Sequence, residues 1–253
     1  PYVEAVAKST AKKLSPAWKS GLQGIIDSYI GKAPEKFTYE GKQYTPQSFC
    51  QSLGLNLDDY VTITSYTHHP MWSKFAVEVQ DNWRWPLSYN VPMEDICKII
   101  DNAVNNGYTV AWGGDVTEDG FTRKGLGIAY DVKKVRSMAG TDADHWFKLS
   151  KDEKKEKFDS LGVNAPEIVP TQAMRQEAFD NWETTDDHGM EIVGTAVDRL
   201  GNKYYKVKNS WDDNQKFGGF FYVSMPYFKA KTLDIYLNKK AVPDDIARKI
   251  GIK

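Results

Sequence analysis

Four short runs, residues 190–197, 204–208, 220–224 and 233–237, are rich in β-branched and aromatic side chains and are separated by turn-forming stretches. That spacing predicts an antiparallel meander. Such a sheet must bury one face, and the sequence upstream supplies a cover for it. Pro92-Met93-Glu94-Asp95 has the form of a helix start, and Met93, Ile96, Cys97, Ile100, Ala103 and Val104 fall on one apolar stripe that stops at Gly107. Residues 108–112 follow as a strand closed by Gly113-Gly114-Asp115.

The first third reads as helical. A helix runs through Trp18, Leu22, Ile25, Ile26 and Tyr29 and ends at Gly31, with Pro34 beyond. Residues 37–44 have the alternation and central glycine of a hairpin. Thr45-Pro46 opens a short helix carrying Phe49, Cys50 and Leu53 on an apolar face, and residues 61–66 form a strand. The mixed charge run at 148–158 reads as a solvated helix face or loop. Helices first and an antiparallel sheet last define an α+β chain, divided into a mainly helical segment, 1–90, and a sheet-rich segment, 91–253.

Lys and Arg total 33 against 34 Asp and Glu. This balance gives no electrostatic reason to expect nucleic acid or an anionic membrane as partner. No apolar run approaches the roughly 18 residues of a membrane span, and the eight tryptophans argue for a soluble globular protein. Two cysteines, Cys50 and Cys97, make no disulfide framework, and no His/Cys cluster has zinc-ligand spacing, so neither metal nor cofactor is expected. The compartment, cytoplasmic or periplasmic, stays open.

Of the four histidines, His68 and His69 precede Pro70 in a loop after a strand; adjacent residues in extended chain point to opposite sides, which suits chelation poorly. His145 stands in a polar surface context. His188 opens an apolar strand, and a second strand about twenty residues on ends in Asn209-Ser210-Trp211. In a hairpin the two would meet at one end of the sheet. The Asn carbonyl could then accept an imidazole N–H, and Trp211 could cover the bond. Spacing alone equally describes an ordinary hairpin with a polar pair at its mouth.

Asp187-His188-Gly189-Met190, Val193-Gly194, the run Tyr204 to Trp211 and Gly219-Phe220-Phe221 together resemble the His and Asn blocks of papain-like cysteine peptidases, most of all the bleomycin hydrolase/aminopeptidase C group. Residues 90–93, 111–116, 225–228 and 242–245 resemble other stretches of that group. Asp212 departs from the glycine usual after its Asn-Ser-Trp triplet. The resemblance implies a papain-like fold and peptide-bond hydrolysis through an acyl-thioester. It gives His188 the role of general base and acid, Asn209 that of orienting it, and Trp211 and Asp187 supporting places.

The nucleophile is the missing part. Relatives of papain place it about 130–150 residues before the histidine, and Cys50 lies in that window. Yet Tyr44, not the oxyanion glutamine, stands six residues before Cys50, which leaves it a weak candidate, and Cys97 lies on the core stripe. The resemblance instead places the catalytic cysteine ahead of Pro1. The expectation is therefore a non-covalent complex with an N-terminal chain of the same precursor, acting on peptides and open to homo-oligomerisation. Two other readings share these residues: a papain-like binding protein that has lost the cysteine, and a papain-like acyl transferase. The chain stops soon after the region matching Pro243-Asp244, so the arm that restricts the group to amino ends looks shortened, and the mode, aminopeptidase or broader oligopeptidase, stays open.

Overall fold

The computed structural model describes residues 1–10, 13–138, 148–213 and 216–252. His145 lies outside them. By its contacts the chain divides into Pro1–Asn56 and Leu57–Lys253.

In the first unit, helix α1 (Tyr2–Ala7) packs on α2 (Ala17–Ile30). The Tyr2 hydroxyl donates to the Trp18 carbonyl and lies where a side chain at Gly21 would project. Strands β1 (Phe37–Tyr39) and β2 (Lys42–Tyr44) form the expected hairpin. Its turn residues Glu40 and Gly41 have φ of 49° and 76°, the double left-handed geometry that matches strand twist. Thr45 caps α3 (Pro46–Ser52) in a reciprocal box with Ser48. Phe49 meets Phe37, Tyr39 and Tyr44 edge-on at 5.3–5.4 Å. Cys50 and Leu53 do not share that contact. Both are exposed, because the hairpin covers only one side of a seven-residue helix.

The second unit is built on a ten-stranded sheet. Its strands are β3 (Tyr60–Thr64), β4 (Lys74–Phe75), β5 (Ser88–Asn90), β6 (Val110–Gly114), β7 (Phe121–Thr122), β8 (Leu126–Gly127), β9 (His188–Val197), β10 (Lys203–Lys208), β11 (Phe220–Ser224) and β12 (Thr232–Asn238). They lie in the order β4-β5-β3-β12-β6-β9-β10-β11-β8-β7. The sheet is mostly antiparallel, with parallel pairs β3–β5 and β8–β11. Because β3, β4 and β5 pair within it, residues 60–90 go with the sheet, and the division of the chain falls after Asn56 instead of residue 90.

The meander is real for β9, β10 and β11 and ends there. The segment after β11 turns at once into helix α8 (Met225–Lys231), capped by Ser224 and begun by Pro226. That helix carries the chain away, and β12 inserts between β3 and β6 on the far side of β9. Helix α4 (Met93–Asn105) lies against β6 and β9 and buries Met93, Ile96, Cys97, Ile99, Ile100 and Ala103, close to the stripe read from the sequence. The charge run forms α6 (Lys151–Leu161), following α5 (Val132–Met138), and its Phe158 is buried against Tyr130. Helices α7 (Gln172–Asp180) and α9 (Asp244–Ile250) complete the unit. Among the described residues no helix is long and apolar enough to cross a membrane.

Candidate active site

His188 is the first residue of β9, and Asn209 follows the last residue of β10, its antiparallel neighbour. Their meeting depends on a bulge. Lys206 pairs with Gly194, but Val207 pairs with Ile192, so Val193 is left over on β9. Continued past Lys208–Glu191, this register sets Asn209 across from Met190, on the same face of the sheet as His188. Were Val193 paired in the ladder instead of skipped, Asn209 would oppose Glu191 and project from the other face.

The His188 imidazole donates through Nε2 to Asn209 Oδ1 at 2.8 Å. The direction of this bond follows from a second donor. The backbone N–H of Ser210 also points at Asn209 Oδ1, at 2.7 Å, and an N–H can face only the oxygen of the amide. Nε2 therefore carries the proton, and Nδ1 keeps its lone pair. Asn209 is 5% exposed, its own N–H donates to the Gly219 carbonyl at 3.0 Å, and its Nδ2 is buried without a partner among the described residues. Gly219 has a φ of 79° and a Cβ there would come 3.1 Å from the Asp212 carbonyl, so the loop that Asp212 enters still closes onto Asn209.

Trp211 lies over the imidazole, ring centroids 5.3 Å apart and planes at 28°. The indole is held edge-on by Phe121 and Phe221, with the Arg123 guanidinium 5.4 Å from its ring centre. This layer shields the His–Asn bond from water, which strengthens it electrostatically.

Asp187 ties the start of β9 to the connection after β6. One of its oxygens accepts from the Thr185 hydroxyl at 2.8 Å and the other from the Val116 N–H at 3.3 Å. Burial raises its pKa, and so does a hydrogen bond with the fully buried Asp115. On Asp115, burial pushes the other way but is outweighed by hydrogen bonds from Asp187 and Thr117 and by Lys231, so its pKa is lowered. The sequence reading missed Asp115. Its signal was a lone acid after Gly113-Gly114 at a strand end, whose partners arrive from 70 to 116 residues away.

Cys97 is buried in α4, and burial, first of all, pushes its thiol up to about 11. Cys50 belongs to the other unit, exposed in the second half of α3 and away from the helix N-terminus that would activate a thiol. His68 and His69 lie in a turn after β3, the expected place, but there they do not diverge. Both Nε2 atoms lie 3.0 Å from oxygens of Glu78, and the three groups together present a possible metal-ligand set.

The pattern of the Peptidase C1-like family matches residues 28–183 and 164–252. Aminopeptidase G of Lactobacillus delbrueckii subsp. lactis is 26% identical over 248 residues, 92% of this chain and 50% of that protein. Aminopeptidase E of Lactobacillus helveticus is 24% identical over the same shares. The crystal structure of PepW from Lactobacillus rhamnosis superposes with a TM-score of 0.62 at 20% identity, over 99% of this chain and 55% of that one. The chain thus spans about half the length of the curated relatives it matches.

Proposed function

The chain belongs to the Peptidase C1-like family and has the family's α+β, papain-like fold, and from that premise we propose that it carries the histidine and asparagine of a cysteine-type aminopeptidase. The observation that supports this most is the His188–Asn209 hydrogen bond under Trp211, with Nδ1 left as the free base. The names of the relatives, all aminopeptidases, support the substrate class.

In this reading Nδ1 takes the proton of a cysteine thiol, and the thiolate attacks the carbonyl carbon of a peptide bond. The C–N bond breaks as the imidazolium returns that proton to the leaving amine, and an acyl-thioester remains. Water, deprotonated by the same Nδ1, then adds to the thioester carbonyl, releasing the carboxylic acid and the thiol. Asn209 holds the ring in the tautomer and plane that these transfers need. Asp187 and Asp115 act at one remove by fixing the backbone that enters His188. The thiol comes from a segment outside residues 1–253, because Cys97 is locked in the core and Cys50 lacks the neighbours of a nucleophile. A non-covalent N-terminal partner of the same precursor fits the half-length match.

The test is turnover of aminoacyl anilides by the natively assembled protein. His188→Ala should abolish hydrolysis while leaving the melting temperature within a few degrees of the parent. Retention of most activity would sink the assignment.

A further inference from the structure

Resting on that reading of the site, we propose that the carboxylate-lined pocket whose wall ends at Asp187, the residue before His188, binds a cationic group of the substrate, either its α-ammonium or a lysine or arginine side chain. Glu78, Asp81, Asp180, Asp186 and Asp187 all line this pocket, and among the described residues no lysine or arginine does. Three of the five are already engaged: Glu78 by His68 and His69, Asp180 by the Gln176 amide, and Asp187 by Thr185 and Val116. Asp81 and Asp186 have no hydrogen bond or ion pair to a described residue. Burial, and then the charges of Asp81 and Asp187, raise the pKa of Asp186.

Two further observations separate this pocket from an ordinary acidic surface. Thr184, in its wall, is 3% exposed, yet its Oγ1 has no partner, so a buried acceptor is left for something that enters. Trp182, also in the wall, is 65% exposed, and an indole face next to carboxylates is a favourable seat for an ammonium or guanidinium group.

The pocket is placed to act on the substrate. Asp187 and Asp186 immediately precede His188, so the acidic wall ends at the residue that leads into it. On the sheet beside them Gly113 of β6 pairs with Gly189 of β9, which leaves a floor without side chains. The Asp234 carboxylate leans over that floor from β12. A Cβ on Gly113 would come 2.7 Å from Asp234 Oδ1 and 3.9 Å from Asp186 Oδ1, so both acids converge on one open spot. Asp234 has no hydrogen bond or ion pair to a described residue either.

Four uncleavable probes test the proposal on the native protein: argininol, N-acetylargininol, norleucinol and N-acetylnorleucinol, with binding measured by calorimetry. The cationic probes should bind about tenfold or more tightly than N-acetylnorleucinol. A gain shown by norleucinol assigns the pocket to the α-ammonium, and one shown by N-acetylargininol assigns it to the side chain. Asp186→Asn should remove most of the gain. If that variant melts early, Asp81→Asn, on a loop, decides instead. Equal binding of all four, a gain that survives both substitutions, or calcium binding in the pocket with no effect of the probes would overturn the proposal. Turnover of arginyl and norleucyl anilides reads the other claim separately. Charge-dependent binding without hydrolysis would remove the peptidase reading and keep the pocket, whereas hydrolysis blind to charge would do the reverse.

Discussion

Asn209 Oδ1 receives two donors, and one of them is the ring whose orientation the proposed reaction needs. Truncating it frees the imidazole to rotate and removes the acceptor that fixes its tautomer. Asn209→Ala should therefore lower kcat by about 10–100-fold, the cost seen when orienting partners of functional histidines are lost, with a smaller change in KM. Steady-state kinetics of the assembled enzyme checks the split, and a change confined to KM would contradict the role. Asp234 makes a prediction of another kind. Its carboxyl is pushed up to about 7, by burial first and by Asp186 second, against the opposing pull of Arg175. Between the ordinary carboxylate range and pH 7 the folded chain keeps a proton that the unfolded chain has lost, so stability falls as pH rises through that window and is flat above it. Asp234→Asn should erase this slope, and its advantage over the parent at pH 8 is bounded at about 4 kcal/mol, read from urea melts across the range. At this scale the sequence exposed His188, Asn209 and Trp211, because the three bracket one hairpin. Asp115 and Asp234 stayed hidden, since their partners come from strands and helices remote in the chain.

Strand β9 shows why the hairpin alone did not settle the geometry. The spacing from His188 to Asn209 brings the two strands' ends together, but the face on which Asn209 projects is set by the bulge at Val193, and a bulge leaves no composition of its own. Deleting Lys208 should draw Asn209 one step back along β10, set it across from Glu191 on the opposite face and reduce activity at least as far as Asn209→Ala does. A melting curve distinguishes this from collapse, because the core side chains Ile192, Val207 and Tyr205 lie at or beyond the bulge and their loss would show as a lower transition. Full activity in the deletion variant would mean that the register does not carry the pair. Helix α4 was legible to within a residue, its one-sided burial being written at helical period. The place of β12 was not. Strand order is decided by what α8 allows after β11, and Ser224-Met225-Pro226, a helix start lying inside the supposed meander, was the signal that went unread.

At the scale of the whole molecule, the question is where the nucleophile comes from. A papain-like reaction needs a thiolate against Nδ1 of His188, and the second unit offers only Cys97, enclosed by α4 and the sheet with its thiol pushed up to about 11. The division after Asn56, where the sequence suggested residue 90, matters here because it leaves the strands of 60–90 with the histidine's sheet and Cys50 with the small helical unit. Periodicity could not locate that boundary, since short strands such as β4 and β5 gain their identity only from partners elsewhere in the chain. A thiol-directed epoxide separates the alternatives. Applied to the native protein at neutral pH and followed by peptide mapping, it should modify one cysteine fast, on a peptide absent from residues 1–253, with a glutamine six residues before it. The same reaction on His188→Ala protein should be slower, because the imidazole that draws off the thiol proton is gone. Rapid labelling of Cys50 that depends on His188 would return the nucleophile to this chain. Labelling of no cysteine, with His188 and Asn209 intact and no turnover of the anilides, would leave a papain-like fold that binds peptides without cutting them.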